Sequence, residues 1–159
     1  MKPSVYIETS FVSYLTARPS RDLIVAAHQQ VTQEWWRSAE SRFEMFTSQI
    51  VITEACSGDP NYAKARLDVL RGLKMLDIDE NAETIAARLL RVGVIPKAAS
   101  PDALHIGVAV ANGMDFLVTW NFRHLANAAI RSRVNSECLD LGFRPAVICT
   151  CEELTENRT

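Results

Sequence analysis

The sequence predicts a three-layer α/β/α fold built on a central, mostly five-stranded parallel sheet. Two observations carry that prediction. Short apolar runs rich in β-branched and aromatic residues, such as "SVYIE" and "DFLVTW", show the near-continuous apolar character of strands covered on both faces. Between them lie longer stretches with helical spacing and recognisable caps, so strands and helices alternate. A chain of 159 residues suits one domain, 1–159, with about 150–159 as a C-terminal tail that frays.

Taken in order, "SVYIE" is the first strand, and "SFVSYL" starts a helix with Thr9 or Ser10 as N-cap. From Asp22 to about Phe43, Ile24, Ala27, Val31, Trp35 and Ala39 recur every three or four residues, as on one face of a long helix. "FEMFTS" is the second strand, and "QIVITEACSG" is a short helix closed by Gly58. "PNYAKARLDVLRGL" is a further helix that stops near Gly72, and "KMLDI" is the third strand. "DENAETIAARLLRVG" has an acidic first turn and a basic last turn, which suits the helix dipole. In "SPDALHIGVAVANG", Ser100 is the N-cap, Pro101 opens the helix and Gly113 ends it. The fourth strand follows, then a helix from roughly Phe122 to Leu141, and "PAVICT" is the last strand.

Composition narrows the function classes. No apolar run is long enough to span a bilayer, and "MKPSVYIETS" lacks the apolar core of a secretion signal. The expected location is the cytoplasm. Four cysteines form no C-x-x-C pair, so reduced thiols are expected rather than disulfides or zinc. The net charge of −2 leaves nucleic-acid binding to a local basic patch.

Ligands of such sheets bind beyond the carboxyl ends of the strands, where strand order reverses. Glu8 ends the first strand and Asn121 follows the fourth. Glu54 shares a helix face with Ile50 and Val51; it is either at a wet rim or else paired, protonated or bound to a cation. Asp102 sits in a first helical turn, where an acid is favourable without any further role. His105 lies one turn later, as a packed histidine or a hydrogen-bond partner to the site. Asn121 and Asp115, each alone, read as turn residues. Glu8, Asp102 and Asn121 nevertheless map to one sheet edge. Clustered carboxylates repel unless they share a hard cation, and oxygen ligands indicate Mg²⁺ or Mn²⁺. Such ions assist phosphodiester cleavage.

"VYIETSFVSYL", "TSQIVITEA" and "SPDALHIGVAVANGMDFLVTWN" together resemble the PIN-domain superfamily of metal-dependent ribonucleases, and most of all the VapC-type toxins of toxin–antitoxin pairs. By position, the resemblance makes Glu8, Glu54, Asp102 and Asn121 the metal-binding and catalytic set, with Ser10, His105 and Thr119 supporting it. It implies a PIN-like fold, cleavage of RNA to a 5′-phosphate and a 3′-hydroxyl, a cognate antitoxin and a homodimer. Two positions depart from the family pattern. Glu8 stands where Asp is usual, adding a methylene, and Asn121 removes a charge from the fourth position. These departures raise the alternative of a weak or inactive module that binds RNA or a protein partner. A metal-dependent phosphatase is a further reading, against which the first strand lacks a D-x-D pair.

Arg18 and Arg21, with Arg123, His124, Arg131 and Arg133, would form a basic rim for RNA phosphates if both groups reach the same edge; otherwise they are solvated helix faces. Adjacent Trp35 and Trp36 cannot both point fully into the core, so one is expected to lie near the surface, at an interface or simply half-buried.

Overall fold

The computed structural model describes residues 1–156. Five short strands, β1 (Ser4–Ile7), β2 (Glu44–Ser48), β3 (Lys74–Leu76), β4 (Phe116–Val118) and β5 (Val147–Cys149), form one sheet in the order β3-β2-β1-β4-β5. Every neighbouring pair is parallel. Seven α-helices flank it: α1 (Thr9–Thr16), α2 (Leu23–Arg42), α3 (Gln49–Ala55), α4 (Pro60–Leu70), α5 (Glu80–Arg91), α6 (Ser100–Ala111) and α7 (Ala128–Asp140). The expected α/β/α sandwich is the observed one.

Val5, Tyr6 and Ile7 are all fully buried, because β1 is the central strand with helices over both faces. The chain leaves β1 toward β2 on one side and β4 on the other, so strand order reverses at the β1–β4 seam. Their register pairs Ile7 with Val118, which brings Glu8 and Thr119 out of the sheet side by side.

α1 packs on α2, α3 and α4, while α5 packs extensively on α6. That second contact is close because Gly107 of α6 has no side chain: a Cβ there would run into the carbonyl oxygen of Ala82. The small-residue character of α6 is thus a packing requirement. Trp35 is buried against Phe11 and Phe43, while Trp36 is half-buried.

Three local expectations change. Glu8, not Thr9 or Ser10, is the N-cap of α1, since its carboxylate accepts from the Ser10 backbone N–H. A 3-10 turn at Lys97–Ala99 runs directly into α6, so Ala99 is the cap and Ser100 is already helical. α7 begins at Ala128 rather than Phe122, because Asn121 and Asn127 turn the backbone first: the Asn121 side chain accepts from the His124 N–H, and Asn127 caps the Ala129 N–H. At the other end, ordered structure runs past residue 150. Cys151–Leu154 form a 3-10 turn held by a Thr150–Glu153 capping box, with Cys151 fully buried. The last three positions of the expected tail, 157–159, lie outside the described residues.

All four cysteines are free thiols. Burial pushes Cys149 and Cys151 up to about 12, which suits packing rather than nucleophilic chemistry. Among the described residues, no helix is long and apolar enough to cross a membrane.

Candidate metal centre at the β1–β4 seam

Glu8 is placed by two elements at once. Its backbone N–H donates to Val118 O at 3.2 Å, continuing the β1–β4 ladder by one residue. Its side chain then folds back over the first turn of α1. Three donors converge on one oxygen: the Ser10 N–H at 3.0 Å, Ser10 Oγ at 2.5 Å and Thr119 Oγ1 at 2.7 Å, all to Oε2. The carboxylate is only 4% exposed, so these charge-assisted bonds and the helix N-terminus offset its desolvation. Ser10 Oγ also accepts from the Trp120 N–H, and Thr119 Oγ1 from the Asn121 N–H. All three bonds fall on Oε2, which leaves Oε1 for another ligand.

Glu54 comes from α3, which starts directly after β2. Its Oε1 accepts from Thr9 Oγ1 at 2.8 Å and lies 2.5 Å from His105 Nε2. His105 is fully buried, and its Nδ1 lies 2.7 Å from the Tyr6 hydroxyl, itself 2.7 Å from Ser48 Oγ. With Glu54 ionised, one consistent direction satisfies every group: Ser48 donates to Tyr6, Tyr6 to Nδ1, and Nε2–H to Glu54. Burial opposes charge on both partners. The hydrogen bond between them outweighs it, helped at His105 by the charges of Glu8, Glu54 and Asp102 and at Glu54 by the His105 charge and the Thr9 hydroxyl, so His105 titrates above its ordinary value and Glu54 below. Burial and the nearby carboxylates push the Tyr6 phenol far up, against the Ser48 hydrogen bond, so it stays protonated.

The structure brings Glu8, Glu54 and His105 together, with one ligating atom from each lying within 4.8 Å of the others. It does not place Asp102 or Asn121 in that trio. Asp102 is hydrogen-bonded to His124, with Oδ2 3.0 Å from Nδ1, and its charge contributes to raising His105. Asn121 spends its side-chain oxygen on the His124 N–H. His124 therefore ties both residues to one loop. Two neighbouring carboxylates, with a third close enough to act on His105 electrostatically, fit a divalent cation held by oxygen ligands, while both ring nitrogens of His105 are engaged by Glu54 and Tyr6. Spacing gives no sign of this, since His105 and Glu54 are 51 positions apart. A usable signal for Tyr6 is its hydroxyl within a wholly buried strand, which must find a partner.

The basic residues divide. Arg18, Arg21, Arg123 and Arg133 are exposed. Arg18 lies over the Tyr62 ring, and Arg133 reaches the Val92 carbonyl. Arg131 is engaged, donating to Ile148 O at 3.0 Å and facing Glu153.

A family profile described as the PIN domain matches residues 5–130, a span that contains Glu8, Glu54 and Asp102. The chain belongs to the PIN domain family. Two solved structures share its architecture. VapC20 from Mycobacterium tuberculosis, a sarcin–ricin loop cleaving toxin, superposes with a TM-score of 0.58 at 16% identity, covering 76% of this chain and 92% of that one. VapBC2 from Rickettsia felis, bound to a DNA fragment from its promoter, gives a TM-score of 0.60 at 15% identity, covering 92% and 97%. At such identities the likeness is one of fold. No functionally curated protein matches this PIN chain in sequence.

Proposed function

We propose that this PIN domain is a divalent-metal-dependent endoribonuclease and the toxin half of a toxin–antitoxin pair, acting in the cytoplasm. The observation that carries the reading is the convergence of Glu8 and Glu54 at the β1–β4 seam, where open α/β sheets bind ligands. Glu8, Glu54, Asp102 and Asn121 would hold Mg²⁺ or Mn²⁺. A bound cation of this kind supplies charge neutralisation at the scissile phosphate and makes water a better nucleophile at neutral pH.

The protein's own part is orientation. Ser10 and Thr119 fix Glu8, Thr9 and His105 fix Glu54, and His124 holds Asp102. Holding acids by donors fixes their orientation and avoids reorganisation during reaction. Water attacks phosphorus, the 3′-oxygen leaves with a proton, and the products are a 5′-phosphate and a 3′-hydroxyl. Arg18, Arg21, Arg123 and Arg133 are exposed and would contact RNA phosphates, whereas Arg131 is committed to Ile148 and Glu153. An antitoxin, which the VapBC2 likeness supports, and a homodimer are the protein partners of this reading.

A binding-only module is the second reading, favoured by Asp102 pairing with His124 outside the closest trio. Titrating Mn²⁺ or Mg²⁺ into purified protein with a labelled structured RNA, beside Asp102→Ala, separates the two. Metal-dependent cleavage lost in Asp102→Ala and quenched by chelator is the expected result. RNA retention without cleavage at any metal concentration would leave the binding module standing instead.

A further inference from the structure

The loop between β4 and α7 carries a feature the metal chemistry does not use. Its two ends are tied to two different acids: Thr119 donates to Glu8, and His124 is bonded to Asp102. Between those anchors stand Phe122 and Arg123, both exposed. Phe122 is 47% exposed, a large apolar ring in water beside an acidic centre. By chain length, its Cα is at most about 11 Å from that of Thr119 and about 8 Å from that of His124.

Phe122 is also built in. Trp120, two residues earlier, is buried, with Nε1 donating to Thr32 Oγ1 at 2.7 Å. Tyr14 and His28 stack on it, with centroids at 5.7 Å and 4.3 Å and interplanar angles of 11° and 17°. Phe122 leans on this stack, 5.9 Å from Trp120 and 5.7 Å from His28. The backbone below it is pinned as well, since the Leu125 and Ala126 N–H groups both donate to Asn121 O. A ring held by aromatic neighbours while nearly half in solvent is a preorganised stacking surface.

We infer that Phe122, with Arg123 beside it, is a stacking subsite for an unpaired nucleobase of single-stranded RNA next to the acid centre. The inference rests on the nuclease reading for the identity of the ligand. Every base has a π-face, so the subsite selects unpaired over paired RNA rather than one sequence. Arg123 supplies the phosphate contact that a purely apolar protein-docking spot would not need. Exposed Leu23 and Ile24 at the start of α2 make a protein partner the competing occupant, with Ile24 one turn before His28.

The test uses full-length protein, chelator to prevent cleavage, and an unstructured RNA carrying 2-aminopurine at one position at a time. Phe122→Ala is expected to weaken binding about 5- to 100-fold and to abolish the quenching of one 2-aminopurine. Phe122→Trp is expected to retain both, and Phe122→Leu to behave like alanine. Unchanged Mn²⁺ affinity in all three, by calorimetry, shows that the acid centre is intact. Absence of RNA binding by the wild type, or equal binding by wild type and Phe122→Ala, overturns the subsite. So does wild-type behaviour of Phe122→Leu, which would point to apolar protein docking. Phe122-dependent binding without metal-dependent cleavage keeps the subsite and removes the nuclease; cleavage with Phe122-independent binding does the reverse.

Discussion

The Tyr6 hydroxyl stands 2.7 Å from Nδ1 of His105, tying the central strand to the helix that carries Asp102. Through His105 the same contact reaches Glu54, so a buried tyrosine steers a carboxylate that it never touches. His105→Gln is expected to lower Mn²⁺ affinity about 10- to 100-fold, the usual cost of removing an outer partner of a ligand. Isothermal titration checks it. Wild-type affinity in the variant would show that Glu54 needs no positioning.

Tyr6→Phe keeps the ring in the core and removes only the bridge between Ser48 and His105. It leaves Nδ1 without a buried partner, at a cost of about 1–3 kcal/mol. Urea unfolding should show that loss with an unchanged slope.

Ser10→Ala should cost more than its partial burial suggests. The hydroxyl both donates to Glu8 and accepts the Trp120 N–H, so one deletion strips the carboxylate of a donor and leaves a backbone N–H unpaired. A loss of about 2 kcal/mol is expected, together with weaker Mn²⁺ binding. Ser10→Thr, which keeps the hydroxyl, should recover most of the metal affinity.

Gly107→Ala places a methyl against the Ala82 carbonyl, where α5 and α6 meet most closely. Backbone lies on both sides, so neither helix relieves the clash by a side-chain rotation. Overpacking of this kind costs about 1–3 kcal/mol, read as a lower thermal midpoint.

Asp115 gives the clearest pH signature away from the metal centre. The Ser4 backbone N–H, then the Ser4 hydroxyl and Arg144, hold its carboxyl below the ordinary aspartate range. A depressed folded value means that this stability is full above the unfolded pKa and is lost as pH falls through the folded one. Asp115→Asn should therefore lower the thermal midpoint at neutral pH by about 2–4 °C. The gap to wild type should close under acid conditions.

Asp115 also shows where sequence reading stops. After "NGM" it reads as a turn residue, yet it fastens the start of β1 to the start of β4, 111 positions apart. The same holds for Tyr6, Ser48 and His124, whose partners lie in other elements. Strands, helices and most of their ends were legible because they follow from periodicity and from caps close in sequence. Of the exceptions, Glu8 caps α1 in place of Thr9 or Ser10, while Ala99 in place of Ser100 and Ala128 in place of Phe122 occur where one turn runs into the next.

The sequence by itself determined the α/β architecture and the sheet edge on which Glu8, Asp102 and Asn121 fall, since both depend on local patterns and the placement of strand ends. Only the tertiary structure decided that His105 enters the cluster while Asp102 and Asn121 turn to His124, and that Trp120 roots an exposed Phe122 in a stack of rings. Those outcomes depend on angles and distances between elements far apart in the chain. Such distances are set by how buried surfaces fit together, which no local spacing encodes.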